Sequence, residues 1–248
     1  MNVETIMKEI NIINKESDKY AELSNPMFEL RHSVFKEKLN WEVSSEDNKE
    51  KDEYDDEDNA NYVLVTDDED DVVGCMRLLP TTGPYMLKNT FPELAKDILL
   101  PEEENVWEIS RFAVEDKNQT TANKFGFGET TKHLAIGMCN FAIENNIKSY
   151  VGLTTPHVER LIRNLGLTCN RVSKVEQISD LKVVIIEIVI DEKGLNTVKE
   201  KLKLDKNLTL LDPKEYYYPE FKRENIPFKH SEELVNTTNN ELEEIISS

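Results

Sequence analysis

The sequence contains few of the residues on which several common kinds of site depend. Its three cysteines, Cys75, Cys139 and Cys169, are far apart, and its four histidines are not clustered. No Cys-x-x-Cys pair is present, so the sequence supports neither a zinc site, nor a disulfide framework, nor a triad built on histidine. We therefore expect no metal site and a reduced, cytoplasmic environment.

Long apolar segments are also missing. The longest run, VVIIEIVI at 183–190, is interrupted by Glu187, and it is far shorter than the about 20 residues that a membrane-spanning helix needs. The first 20 residues lack a basic region followed by an apolar block, which a secretory signal would require. The sequence therefore predicts neither stable membrane insertion nor secretion.

Positive charge is scarce as well. The chain has 30 Lys and Arg against 49 Asp and Glu, for a net charge of −19. Because phosphate recognition requires clustered basic side chains, we expect no nucleic-acid partner. An acidic protein partner would need a local basic patch strong enough to overcome the overall repulsion. With 248 residues, of which 38% are hydrophobic, the chain suits one domain of fair size with room for an appendage.

Hydrophobic spacing predicts alternating helices and strands. Residues 26–39 have helical periodicity, with Asn25 as the expected N-cap and Pro26 in the first turn. Residues 42–58 are polar and acidic, which is typical of an exposed loop. The remaining predicted elements are strands at 61–66, 72–80, 106–114, 149–155 and 182–190, with helices at 129–145 and 156–164. This order predicts an α/β fold with a mixed central sheet.

The predicted strand VWEISRFAV at 106–114 carries an acid and a base among its apolar residues. Strict alternation would place Glu108, Ser110 and Phe112 on one face of the sheet and Arg111 on the other. A β-bulge would instead bring Glu108 and Arg111 to one face. The sequence leaves both arrangements open.

Charged and aromatic residues stand at fixed spacings through the first half of the chain. The pattern is Arg-x3-Phe-x5-Trp, two aspartates three apart, RLLPT followed by PYML, and WE-x-SRF. Its eight members are Arg31, Phe35, Trp41, Asp52, Asp55, Arg77, Glu108 and Arg111. This arrangement resembles the acyl-homoserine-lactone synthase family, the autoinducer synthases of bacterial quorum sensing. The resemblance is specific over residues 25–115 and extends over 120–190 only by the order of elements.

The resemblance implies a fold, a domain and a reaction. The fold would be a GNAT-like three-layer sandwich over residues 1–195, and 196–248 would form a C-terminal extension. The enzyme would transfer an acyl chain from acyl-acyl carrier protein to the amine of S-adenosylmethionine. The methionine carboxylate would then attack its own γ-carbon, closing the lactone and releasing 5′-methylthioadenosine. S-adenosylmethionine is a co-substrate in this reaction, and no tightly bound cofactor is implied.

The residue types suit this chemistry. Glu108 is the candidate base for the attacking amine, and Asp52 is a second catalytic candidate. Aromatic faces attract a sulfonium, and a guanidinium pairs well with a carboxylate. The predicted S-adenosylmethionine-binding residues are Arg31, Phe35, Trp41, Asp55 and Arg111. Two alternatives stay open: the aromatic residues could serve only the core, and Arg77, Arg111 and Asp55 could form a structural ion-pair network.

The acyl pocket is expected between the central strands and the 129–145 helix. Its candidate lining residues are Met76, Phe112, Met138, Phe141, Val151, Gly152 and Leu153. Family members that favour 3-oxo acyl chains tend to carry Thr at the position aligned with Gly152. The resemblance therefore implies an acyl chain without a 3-oxo group.

Two further features concern the acyl donor. Because the carrier protein is acidic, the docking patch is expected among Lys132, Lys148, Arg160 and Arg163, with Lys124 and Lys174 as further candidates; a solvated helix face is the alternative. The segment NKFGFG at 123–128 loosely resembles the pyrophosphate loop of GNAT acyltransferases and could seat phosphopantetheine. A flexible loop with two glycines explains it equally well.

Two other functions remain compatible with the sequence. One is a GNAT-type N-acyltransferase that uses acyl-CoA and another amine. The other is a non-catalytic binding protein on a degenerate synthase scaffold. The presence of all eight pattern residues argues against both, because four of them, Arg31, Trp41, Asp52 and Asp55, serve S-adenosylmethionine in the family that the chain resembles.

Overall fold

The computed structural model describes residues 8–115, 128–178 and 180–202. Its strands are β1 Glu9–Ile13, β2 Ser45–Glu46, β3 Lys49–Glu50, β4 Asn61–Thr66, β5 Val72–Pro80, β6 Val106–Val114, β7 Ser149–Thr154, β8 Thr168–Arg171, β9 Glu176–Ile178 and β10 Leu181–Val189. Its α-helices are α1 Tyr20–Arg31, α2 Met86–Asn89, α3 Glu129–Glu144, α4 Pro156–Leu165 and α5 Glu192–Leu202. A π-helix, His32–Lys38, continues α1, and 3₁₀ turns occupy Glu53–Asp55 and Pro92–Ala95.

The main sheet runs in the order β1-β4-β5-β6-β7-β10-β8, with β9 paired to β10. Of these pairs β6 and β7 are parallel, and α3 provides the crossover between them. The β6–β7 ladder begins at Val106 and Ser149 and ends at Glu108 and Val151, although both strands continue. Beyond Glu108, therefore, the two strands are no longer joined by ladder hydrogen bonds.

Each face of the sheet has its own hydrophobic cluster. On the α3 face, Val63 and Met76 pack with residues of α3 and α5. On the α1 face, Leu64 and Leu79 pack with residues of α1. Helices thus cover both faces of a mixed sheet, which is the three-layer arrangement that the sequence predicted. Among the described residues, no helix is both long and apolar enough to cross a membrane.

The first helix differs from the prediction at its start. It begins at Tyr20 rather than at Pro26, which lies inside the helix. Leu23, Met27 and Leu30 are buried at helical spacing, so the apolar stripe extends before the proline. The predicted N-cap at Asn25 is wrong for this reason.

The region 42–58, predicted as an exposed loop, is partly structured and partly buried. It contains the β2–β3 hairpin and a 3₁₀ turn. Glu50, Tyr54 and Asp55 are buried within it. Two of its charged residues, Glu50 and Asp55, are thus paired inside the protein.

The C-terminal boundary of the domain also differs from the prediction. Helix α5 crosses the predicted boundary at residue 195, and its Leu195 and Val198 belong to the hydrophobic core. The packed domain therefore extends at least to Val198, past the predicted boundary.

Candidate active site

Three arginines and three carboxylates form a closed ring of ion pairs on the α1 face. In order around the ring, the members are Arg31, Glu50, Arg111, Asp52, Arg77 and Asp55, and Asp55 closes it by pairing with Arg31. Each member contacts two neighbours of opposite charge. The formal charges cancel, so this ion-pair ring is neutral as a whole.

The three-residue spacing of the two aspartates has a structural cause. Asp52 caps the 3₁₀ turn, because its Oδ1 accepts a hydrogen bond from the Tyr54 backbone N–H at 3.0 Å. Asp55 Oδ2 accepts in return from the Asp52 backbone N–H at 2.9 Å. This capping box turns both carboxylates toward Arg77, whose Nη1 donates to Asp52 and to Asp55.

Arg111 reaches the ring because of a β-bulge. On β6, Ser110 pairs with Arg77 and Ala113 with Cys75, so Arg111 and Phe112 together oppose Met76. Arg111 has a φ of 52°, an unusual value for a residue other than glycine. Strict alternation along this strand is therefore wrong, and the bulge brings Arg111 to the face that carries Glu108.

Only one edge of the ring reaches the surface. The side chains of Arg31, Glu50, Arg77 and Asp55 are at most 1% exposed, whereas Asp52 is 9% and Arg111 13% exposed. We call Asp52 and Arg111 the open edge of the ring. Arg31 was predicted to bind substrate directly. Its Nε, Nη1 and Nη2 instead donate hydrogen bonds to Glu50 and Asp55, which favours a structural role in the ion-pair network for this residue.

The two aromatic residues of the pattern stand beside the open edge. Phe35 and Trp41 stack with ring centroids 5.2 Å apart and planes 8° from parallel. The Arg111 guanidinium lies 5.8 Å from the Phe35 centroid. Phe35 is buried, but Trp41 is 40% exposed, so the pair is only partly a core feature and offers an aromatic face to a ligand.

Glu108 lies on the same face and is 2% exposed. Its Oε1 accepts from the Leu87 N–H at 2.6 Å and its Oε2 from the Met86 N–H at 3.0 Å, at the start of α2. Burial raises the pKa of Glu108 to about 7, against the opposing effects of these N–H groups and of Arg77 and Arg111. A carboxyl with this pKa can accept a proton at neutral pH.

In Asp55, unlike Glu108, the neighbouring arginines outweigh the effect of burial on the carboxyl pKa. Burial alone would raise the pKa of its carboxyl, but the hydrogen bonds and charge of Arg31, together with the charge of Arg77, hold that pKa well below its usual value. Tyr62 also donates a hydrogen bond to Asp55 Oδ1 at 2.9 Å. Asp55 is therefore an ionised anchor of the ring.

The predicted acyl-pocket residues divide between the two faces. Met76, Met138 and Phe141 belong to the cluster on the α3 face, whereas Val151 and Leu153 belong to the cluster on the α1 face. Phe112 is 41% exposed, and alternation from buried Ala113 directs it away from Glu108. The prediction that Phe112 shares a face with Glu108 is wrong because of the bulge.

Gly152 of β7 lies close to Ile109 of β6. A Cβ atom at this position would stand 2.8 Å from the Ile109 carbonyl oxygen and 3.0 Å from Ile109 Cγ2. A side chain at this position would therefore meet Ile109 rather than open space. Glycine here permits a close approach of two strands.

The predicted docking residues do not form one compact patch. Lys132 lies in the first turn of α3, and Lys148 follows the end of this helix, whose 16 residues span about 24 Å. Arg160 is exposed, as Lys174 is. Arg163 Nη2 donates at 2.7 Å to buried Glu159, which also pairs with Arg171. Lys124 and most of NKFGFG lie outside the described residues.

Sequence reasoning missed two side chains of the site. Glu50 is a full member of the ring, and Met86 Sδ accepts a 3.2 Å hydrogen bond from Arg111 Nη1. The turn residues Asp47 and Asn48, both with positive φ, could have predicted the hairpin that carries Glu50. Within the described ranges, no group of His, Cys, Asp and Glu could hold a metal ion.

Comparisons with known proteins match this chain to one family. A family model described as autoinducer synthase matches residues 15–198. The chain is 39% identical over 166 residues to the acyl-homoserine-lactone synthase of Aliivibrio fischeri, covering 66% of this chain and 84% of that protein. It is 37% identical over 181 residues to that of Pseudomonas aeruginosa, covering 72% and 87%.

Solved structures agree with the sequence comparisons. The AHL synthase LasI matches with a TM-score of 0.69 at 33% identity, covering 79% of this chain and 96% of that one. TofI, solved in a ternary complex with an inhibitor and MTA, matches with a TM-score of 0.65 at 30% identity, covering 78% and 96%. These matches confirm the GNAT-like α/β fold, and the chain belongs to the autoinducer synthase family, the acyl-homoserine-lactone synthases.

Proposed function

We propose that this acyltransferase makes acyl-homoserine lactones from S-adenosylmethionine and an acyl chain carried by acyl carrier protein. The observation that carries the proposal is the open edge of the ion-pair ring beside the Phe35–Trp41 pair. Arg111 offers a cation, Asp52 an anion and Trp41 an aromatic face within one small region. S-adenosylmethionine presents the complementary carboxylate, ammonium and sulfonium groups.

Each group then has a role. Arg111 pairs with the methionine carboxylate and Asp52 with the α-ammonium, while the aromatic pair faces the sulfonium. The buried members of the ring hold this open edge in place; they are Arg31, Arg77, Asp55 and Glu50. TofI, a relative of known structure, was solved with MTA, which supports a site of this type in the present chain.

The first chemical step is acyl transfer. After the α-ammonium has lost a proton to solvent, the neutral α-amine attacks the thioester carbonyl carbon, a C–N bond forms, and the C–S bond breaks with its electron pair left on the sulfur of the carrier. Glu108, directly or through one water, takes the proton that the nitrogen loses, and this proton then passes to the thiolate to give the thiol of the carrier. Its pKa near 7 matches this task, because a base works best when its pKa lies near the working pH.

The second step closes the lactone. A carboxylate oxygen attacks the γ-carbon of the same methionine unit, and the bond from that carbon to the sulfonium sulfur breaks. The electron pair goes to sulfur, so the leaving group is the neutral thioether 5′-methylthioadenosine. No proton transfer is needed in this step, which is consistent with a site that supplies one base.

The acyl chain is proposed to lack a 3-oxo group. Gly152 lies against Ile109, so a larger residue there would push β7 away from β6 and change the space beside them. Kinetics with 3-oxo and unsubstituted acyl-carrier substrates of equal length test this proposal. A clear preference for the 3-oxo chain would contradict it.

The donor is proposed to be the carrier protein, which docks on basic residues near α4. BjaI, a CoA-dependent synthase, shares the fold at a TM-score of 0.70 but is only 23% identical, so it does not decide the donor here. Arg160→Glu is the sharpest probe, because Arg160 is exposed whereas Arg163 is engaged by Glu159. We expect a higher KM for acyl-carrier substrate; an unchanged KM would refute the patch.

Mass spectrometry of extracts from cells that express the chain tests the whole proposal. Expected products are homoserine lactones of one dominant acyl length, absent from cells that express Glu108→Gln. Assays with purified chain should then compare acyl-carrier and acyl-CoA donors of that length. Absence of lactones with every donor tested would overturn the proposed function.

A further inference from the structure

Glu50 is the member of the ion-pair ring that lies outside the eight-residue pattern. Arg31 Nε donates to its Oε2 at 2.5 Å, and Arg111 Nε donates to its Oε1 at 3.0 Å. The Glu50 side chain has no exposed surface. A buried carboxylate that bonds one guanidinium with each oxygen fixes the distance between the two guanidinium groups.

A short hairpin positions Glu50 in the ion-pair ring. Strands β2 and β3 pair Ser45 with Glu50, and the turn between them uses Asp47 and Asn48 at φ values of 48° and 60°. Two central residues with positive φ are typical of a tight type I′ turn. The carboxylates of Glu50, Asp52 and Asp55 therefore all come from one segment of eleven residues, 45–55.

Arg111 depends on this segment for its orientation. It sits on the bulge of β6, and its Nη2 reaches Asp52 at 2.6 Å while its Nε is held by Glu50. Asp52 lies at the open edge and contacts solvent, but Glu50 does not. Glu50 is thus the buried group that fixes the direction of the Arg111 guanidinium.

We propose that Glu50 is a positioning residue for lactone synthesis, which holds Arg111 against Asp52 at the open edge and keeps the ion-pair ring neutral. The inference rests on the proposed function, in which Arg111 and Asp52 are the groups that meet S-adenosylmethionine. It adds a residue that contacts no substrate and acts through Arg111.

The charge of the ring affects the substrate directly. Bound S-adenosylmethionine carries a sulfonium, an ammonium and a carboxylate, for a net charge of +1, and the neutral ring does not repel it. Glu50→Gln leaves a net charge of +1 inside the site, because three guanidiniums then face two carboxylates. Glu50 itself faces Arg31 on α1, Arg111 on β6 and Cys75 on β5. The other charged and titratable groups in or against the ring are Asp52 and Asp55 at the 3₁₀ turn, Tyr62 on β4, Arg77 on β5 and Glu108 on β6.

The sign of the pH effect follows from the added charge. A nearby positive charge disfavours the protonated substrate ammonium and favours ionised Glu108, so both groups lose their protons at lower pH. The acid limb of the kcat profile should therefore move to lower pH, by about one unit for charges separated by less than about 10 Å. The KM for S-adenosylmethionine should rise by about tenfold, since one unit charge is left unbalanced.

Three variants of the full chain test the inference. Glu50→Gln removes the charge, Glu50→Asp keeps the charge but shortens the side chain, and Glu53→Gln removes an exposed charge from the same segment. The measurements are KM for S-adenosylmethionine and kcat as a function of pH, with thermal denaturation as a folding check. We expect Glu50→Gln to change both quantities, Glu50→Asp to raise KM without moving the pH profile, and Glu53→Gln to match wild type.

A folded Glu50→Gln variant with wild-type KM and pH profile would overturn the inference. If Glu50→Gln does not fold, the Glu50→Asp variant tests the inference instead. A folded Glu50→Asp variant with wild-type KM would also overturn the inference. An inactive wild-type chain would instead overturn the proposed function. Failure of the function and failure of the role of Glu50 are thus distinguishable.

Discussion

At the scale of single residues, the site separates groups that can meet a ligand from groups that hold them. Trp41, Asp52 and Arg111 are accessible, whereas Arg31, Arg77 and Asp55 are buried and satisfied by one another. Removing one member of a buried ion pair leaves an uncompensated charge, which costs far more than a surface pair contributes. Substitutions of the accessible residues should therefore impair binding and catalysis, whereas substitutions of the buried residues should impair folding.

Glu108→Gln should abolish the pH dependence that comes from the base. Because a base must be unprotonated, wild-type activity should fall as the pH drops below about 7, the pKa to which burial raises Glu108. A glutamine cannot accept the proton, so we expect kcat to fall by about 10²- to 10⁴-fold and this acid limb to disappear. Steady-state kinetics from pH 5 to 9 measure both effects.

The control for this substitution is Glu102→Gln, which removes an exposed carboxylate paired with Lys88. It should leave the profile unchanged. A Glu108→Gln variant that keeps most of its activity would show that another group takes the proton.

Asp55→Asn should destabilise the fold and alter its response to acid. The loss leaves Arg31 and Arg77 without a shared anion, at a cost of about 3–5 kcal/mol at pH 7. The folded-state pKa of Asp55 lies below its usual value, so its contribution is full above that usual value and is lost as the pH falls toward the folded pKa. Urea denaturation at pH 7 and pH 3 should show a smaller loss of stability on acidification in the variant.

Asp56→Asn is the matched control, because Asp56 is an exposed neighbour paired with Lys51. Its effect at pH 7 should stay below about 1 kcal/mol. Equal acid sensitivity of wild type and Asp55→Asn would show that Asp55 is not the anchor of the ring.

At the scale of elements, the longer strands of the sheet and the helices α3 and α4 could be predicted from the sequence, whereas the short strands β1, β2, β3, β8 and β9 were not predicted. The hairpin of β4 and β5, the strand β6, and the helices α3 and α4 all have clear periodicity, and α4 begins with a Thr155 cap and Pro156, which are typical of a helix start. The bulge on β6 and the burial of Glu50, which the hairpin around Asp47 carries, could not be predicted in the same way. Both depend on which residues of a neighbouring segment lie opposite, and local periodicity does not contain that information.

Close approach of α3 to the sheet provides a test at this scale. A Cβ on Gly137 would overlap Val63 Cγ1 and would stand 2.8 Å from Ile10 Cγ2. Alanine favours helices by about 1 kcal/mol over glycine, but overpacking of a core contact costs about 1–3 kcal/mol. We expect Gly137→Ala to lower the melting temperature despite its better helix propensity.

Gly83→Ala is the control, since the nearest atom to its added Cβ would be Asn59 Nδ2 at 3.4 Å, an ordinary contact. Its melting temperature should match that of wild type. A stabilised Gly137→Ala variant would show that α3 can move away from the sheet at little cost.

At the scale of the whole molecule, the packed domain includes α5. Val198 is fully buried and Leu195 is 8% exposed, and both contact the cluster on the α3 face. The family match also extends to residue 198. The segment that the sequence assigned to a C-terminal extension therefore begins inside a helix that the core requires.

Two truncations should separate the packed domain from the residues beyond α5. A chain that ends after Leu202 keeps α5, and we expect it to fold and to retain the activity of the full chain. A chain that ends after Asp191 loses Leu195 and Val198, which together contribute about 3–6 kcal/mol by burial. Circular dichroism melts and lactone assays measure both results; loss of activity in the longer truncation would show that residues beyond 202 belong to the functional enzyme.

The sequence by itself determined the family and the longer elements, and it predicted eight residues for the site, because spacing and periodicity can be read along the chain. Only the tertiary structure decided that six charged side chains close into a neutral ring, that Glu50 completes it, and that Asp52 and Arg111 are its open edge. The physical reason is that pairing and burial of these groups depend on contacts between α1, the 45–55 segment, β5 and β6. Those contacts are set by the packing of the sheet rather than by any local pattern.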